Sequence, residues 1–138
     1  MDYKWIRPDM NLYHIGGSSK YIITVANSGS LDADFYEYAQ NFYEAAETVI
    51  HYLGEEAAEN QDIAKLDLWY FATVYLYRQS LELLLKASIF QVVTDTTDRK
   101  DIIGQIRHDL KQSFEKLIEV RGLTIDENEN AKWVLDYL

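Results

Sequence analysis

Two short clusters hold side chains whose types and spacing could do chemistry. Arg78, Glu82 and Lys86 stand at successive four-residue steps. On a helix that spacing puts all three on one face. Glu82 can then pair with both cations, and the order Glu82 before Lys86 suits the helix dipole. Tyr75, Leu76, Tyr77, Leu81, Leu83, Leu84 and Leu85 surround the three. The charges are therefore either matched in a semi-buried ion ladder or aligned along a cleft. The second cluster is Arg107-His108-Asp109. A histidine is able to titrate near neutral pH, and Asp109 is a good cap for a following helix. Acid–base catalysis by His108 requires a substrate phosphate or nucleophile beside it. The plainer alternative is a helix start whose histidine packs and bonds to backbone.

No other residues group in this way. Cys is absent, which removes disulfides, zinc–thiolate sites and cysteine nucleophiles. His14 and His51 are isolated, and Glu55-Glu56 with Glu59 lacks a Ca²⁺-loop pattern. No metal or cofactor is expected. Gly16-Gly17-Ser18-Ser19 has neither the lysine nor the helix that a phosphate loop needs, so it reads as a turn.

The chain that must position these clusters has 138 residues, the size of one domain. Thirteen Lys and Arg against 23 Asp and Glu give a formal charge of -10, which excludes a generally basic nucleic-acid coat. The charge is uneven. Residues 31–64 carry nine acidic residues and no Lys or Arg, whereas residues 65–123 carry nine basic and eight acidic. A local basic site in the middle remains compatible with the total. There is no secretory leader and no credible membrane-spanning run, so the chain reads as soluble and cytoplasmic.

With one Pro and 6 Gly, the sequence predicts long helices. Residues 1–30 are the exception: two apolar runs around the Gly-Ser turn read as a β-hairpin extension. A helix is expected from Ser30 or Asp32 to about Gly54, ended or loosened by that glycine or by the polar run at residues 55–61, its apolar stripe running from Phe35 to Leu53. A second, from about Asp62 to Val93, is apolar on most sides. It must be the centre of a bundle or face a second subunit. A third holds Leu110, Phe114, Leu117 and Ile118, begins between Asp98 and Asp109, and stops at Gly122. Asp126 caps a last helix whose apolar face, Ala131 to Leu138, looks unfinished, as if completed by a partner or a longer chain. The fold class is all-α, a bundle of four to five helices over residues 31–138.

Tyr77-Arg78-Gln79-Ser80-Leu81-Glu82-Leu83-Leu84-Leu85-Lys86-Ala87 resembles a helix of the HEPN superfamily. His108-Asp109-Leu110-Lys111, with Phe114-Glu115-Lys116-Leu117 behind it, resembles the "HDL" helix start of one HEPN subgroup. The resemblance implies a helical bundle that is commonly dimeric. It also implies membership among RNases of toxin–antitoxin, phage-defence and RNA-processing systems, or among inactive modules that bind RNA or nucleotides. Active members carry an Arg followed four to six residues later by a His in a late helix. Here Arg107 adjoins His108, and Arg99 precedes it with eight residues between. Arg7 precedes His14 with six between, but in the extension. No helical pair fits.

Three functions follow as expectations. The first is a non-catalytic HEPN-like homodimer binding RNA, a nucleotide or a protein partner. Arg78, Lys86, Arg107 and His108 face phosphate, with Glu82 and Asp109 orienting them. The second is a metal-independent RNase with His108 as acid–base group and Arg78 or Arg107 stabilising phosphate charge. The third is a purely structural module whose acidic helix-one face meets a basic protein.

Overall fold

The computed structural model describes residues 29–60, 63–124 and 129–138. Among these residues five helices are joined by short turns and no strand forms, with α1 at Leu31–Asn60, α2 at Ile63–Phe90, α3 at Thr96–Ile106, α4 at Leu110–Val120 and α5 at Glu129–Tyr137. The expected β-hairpin and the expected cap Asp126 lie outside the described residues. Among the described residues no helix is long and apolar enough to cross a membrane.

α1 opens with Asp32 and Asp34 in its first turn, at the positive end of the dipole. It then runs past Gly54 and ends at Asn60, within the polar run at residues 55–61 rather than at the glycine. A glycine inside a helix costs only about 1 kcal/mol relative to alanine. Leu53 beside it is 2% exposed, so packing carries the helix through. α2 returns antiparallel. Ser80 Oγ donates to the Ala39 carbonyl at 2.7 Å, and near the hairpin tip Lys65 pairs with Glu56 at 2.9 Å. Small buried residues, Ala39 and Ala46 on α1 and Thr73 and Ala87 on α2, line the two helices. The second expected helix is shorter than read, ending at Phe90 rather than Val93.

The stretch expected to lead into one third helix is instead a helix of its own. Asp95 accepts from the backbone N–H groups of Thr97 at 2.8 Å and Asp98 at 3.1 Å, which starts α3. Ile102 and Ile106, one turn apart, are its only buried residues, too few to show as a periodic pattern. They close the core with Ile89 and Phe90, and Leu31, Phe35, Val93, Leu117 and Val120 pack around it. Phe35 and Phe90 stack tilted at 5.8 Å. Arg99 clasps the same corner: its guanidinium donates at 2.6 Å to the carbonyls of Val93 and Phe90, at the open end of α2. The same group lies 5.4 Å from the Phe90 ring centroid and 3.7 Å from Asp32 at the start of α1.

α4 packs on α2, and Gly122 ends it at φ 64° as expected. α5 has no buried residue, and an apolar groove of about 240 Å³ lies between it and α4. Of the face expected to be unfinished, Ala131, Val134 and Leu135 are half-buried, Ala131 and Val134 lining that groove, and only Leu138 is exposed; Trp133 and Tyr137 are exposed on another side of the helix.

Candidate functional site

The two chemical clusters meet. α2 supplies Arg78, Glu82 and Lys86, and the turn between α3 and α4 supplies Arg107, His108 and Asp109. That turn is tight. Arg107 follows α3 at φ 45°, ψ -108°, a conformation that L side chains seldom adopt and that costs of order 1–3 kcal/mol. Two residues on, Asp109 caps α4, accepting from the Gln112 N–H at 2.9 Å. That hydrogen bond is the leading cause holding the Asp109 carboxyl below its ordinary range.

Glu82 is the hub. It is 1% exposed, and its Oε1 accepts from Lys86 Nζ at 2.6 Å while lying 2.8 Å from His108 Nδ1. Burial pushes the Glu82 carboxyl up, but hydrogen bonds from Lys86 and His108, and their charges, outweigh it and leave it below its ordinary value. An ionised carboxylate only accepts, so Nδ1 carries the proton and Nε2 is left on an exposed ring. Oε2 of Glu82 is buried without a hydrogen bond, with Arg78 Nη1 at 3.5 Å. Arg78 also donates from Nη2 to the His108 carbonyl at 2.7 Å, pinning the turn to α2.

The ladder and the cleft are thus two ends of one arrangement. At the inner end Lys86, 7% exposed, is spent on Glu82 and does not reach the open surface. At the outer end the Arg78 and His108 side chains are 44% and 82% exposed. Arg78, Arg107, His108, Asp109, Leu110, Lys111 and Leu138 line an open cleft of about 520 Å³. Lys86 was an expected cleft residue and is a buried counter-ion instead. Glu82 contacts Lys86, His108 and Arg78, whereas the Asp109 carboxylate is spent on Gln112 as the cap of α4. Lys111 is the addition. A lysine in the first turn of a helix opposes the dipole, which was the available signal that it serves something other than helix stability.

Chemically, the cleft gathers three permanent cations and a polarised imidazole at the start of α4, in a chain of net charge -10. This suits an anion, and phosphate above all. Among the described residues no three His, Asp or Glu side chains group to hold a metal ion. No protein-family model, no curated protein and no solved structure matches the chain.

Proposed function

We propose that the chain is a HEPN-like helical module that binds RNA or a nucleotide through phosphate groups seated in the α2/α3–α4 cleft, without cutting the strand. One observation carries the reading: residues 30 apart in sequence, Arg78 and His108, are joined by a 2.7 Å hydrogen bond, and that bond gathers Arg107 and Lys111 into the same opening. The charge map supports it, because the cations collect where the chain is otherwise balanced. The lack of a helical Arg–His pair at the spacing of active HEPN members supports binding over cleavage.

Binding of a short single-stranded RNA, followed by fluorescence anisotropy, tests this. With about three phosphates neutralised, affinity falls about 20-fold between 50 and 200 mM salt. The pair Arg107→Ala and Lys111→Ala flattens that slope to about one phosphate's worth. Absence of binding at 50 mM salt, or a slope the double variant leaves intact, refutes the site. Cleavage is the second reading, favoured by the Glu82–His108 contact, which orients an exposed imidazole. Metal-independent cutting that His108→Ala abolishes would establish it over simple binding.

A further inference from the structure

The face of α2 that carries Arg78 does not stop there. Phe71, Tyr75 and Arg78 stand at steps of four and three, on one side of the helix. Glu82 and Lys86 continue that side at further steps of four, and there it is covered: they are 1% and 7% exposed. Before Arg78 it is bare. Tyr75 is 59% exposed and Phe71 77%, the most open large apolar side chain among the described residues. The Tyr70 ring meets Phe71 edge-on at 5.6 Å and braces it. Phe71 and Tyr75 each lie two residues, about 200° of helix, from Thr73, one of the small buried residues along the α1 contact. Their lane is therefore turned away from α1 and its acidic side chains. Asp67, one turn before Phe71, is the first acid met along it.

We propose that Phe71 and Tyr75 form a stacking track for two unpaired bases of a strand whose phosphates sit at Arg78, Arg107 and Lys111. The track rests on the phosphate reading and narrows its ligand to a single strand longer than one nucleotide. Three observations select that occupant. The lane runs straight into the cleft: along the helix axis Tyr75 is about 4.5 Å and Phe71 about 10.5 Å from Arg78. Bases on the rings and phosphates at the cations thus belong to one continuous strand. The two rings are about 6 Å apart along the axis. Bases along one strand of a duplex repeat at about 3.4 Å, so the wider spacing fits a strand whose bases are opened out, and an aromatic face accepts any base in that state. Finally, charge marks both ends of the lane. Arg78 attracts phosphate at one end, and Asp67 repels it at the other, which limits the track to two rings.

Fluorescence anisotropy on the full chain at 50 mM salt tests this with three labelled probes: a single-stranded RNA octamer of cytidine, the same ribose–phosphate strand without bases, and a blunt RNA duplex of equal length. A stacked base is worth about 5-fold or more, so two bases place the octamer at least about 25-fold tighter than the abasic strand. The two strands share one salt slope, because they seat the same phosphates. Phe71→Ala and Tyr75→Ala, at side chains already exposed, each weaken the octamer about 5-fold or more and leave the abasic strand and the slope unchanged. Tyr36→Ala, at an exposed ring on α1, changes neither. A 2-aminopurine within the octamer reports the contact itself: stacking quenches it, and the double variant at Phe71 and Tyr75 restores its emission. Octamer and abasic strand binding alike, with the slope intact, overturns the track and leaves the phosphate site standing. A duplex that binds as tightly as the octamer overturns it too. So does an octamer affinity that both ring variants leave unchanged, which gives the lane to a protein partner. Binding of none of the probes refutes the phosphate site, and the track with it.

Discussion

The two halves of α2 are built from the same kind of residue and meet opposite fates. In the C-terminal half Leu85, Ala87, Ile89 and Phe90 are buried. In the N-terminal half Ile63, Leu68, Trp69, Tyr70, Phe71, Val74 and Tyr75 are all exposed, Phe71 at 77%. Composition does not separate them; helix length does. At 1.5 Å per residue α2 spans about 42 Å, whereas α3 and α4 span about 16 Å each. Folded back from the end of α2, they cover its last turns and run out. An apolar helix is thus no guarantee of a core around it. What matters is whether the following segments are long enough to reach.

The sharpest way to break this comparison is to delete one phenyl ring from each half. Phe90→Ala is expected to cost about 3–5 kcal/mol, as for other buried phenylalanines. Phe71→Ala should fall within about 0.5 kcal/mol, as for surface positions. Urea midpoints of the two variants measure the difference, and equal losses would mean that the first half is covered as well.

A somewhat smaller effect is expected where the halves join, at Glu82. Glu82→Leu strands the buried Lys86 and should cost about 3 kcal/mol, while adding Lys86→Met should restore most of that loss. The double-mutant cycle reads the coupling directly. An uncoupled pair would show that the ladder is not matched. The acid limb gives the same contrast more finely. The Glu82 carboxyl is depressed in the folded state, so the unfolded chain binds its proton first. Its contribution is present above the ordinary carboxylate value and is lost as pH falls through the depressed one. Stability between pH 6 and pH 3 should therefore fall less steeply in the double variant than in the parent chain.

Much of this was legible in the residues. The four-step spacing of Arg78, Glu82 and Lys86 placed them on one face, and Asp109 announced a cap that is present. Gly122 likewise announced a stop. α3 was not legible, because only Ile102 and Ile106 of its eleven residues are buried and Asp95, its cap, sits among several equivalent candidates. Of the two ends the residues offered for α1, the polar run at residues 55–61 is the one taken and Gly54 is not, because the burial that carries a helix past a glycine depends on a partner helix. The meeting of Glu82 and His108 was beyond reach for a different reason. Twenty-six residues separate them, and only the tight turn at Arg107 decides that the second cluster comes back to the first. Lys86 shows the limit most plainly: sequence placed it beside Glu82 but could not say which end of the ladder faced the interior.

The Arg99 clasp has a kinetic meaning. Its partners, Asp32, Phe90 and Val93, belong to the start of α1 and the end of α2, and the arginine itself arrives with α3. The clasp closes only when segments 67 residues apart are already in place, so it belongs to the downhill side of the folding barrier. Stopped-flow measurements on Arg99→Ala should find refolding near the parental rate and unfolding accelerated. A comparable slowing of refolding would instead put this corner in the nucleus. On that reading Arg99 acts as a latch: it sets how long the assembled bundle lasts, not how quickly it is found.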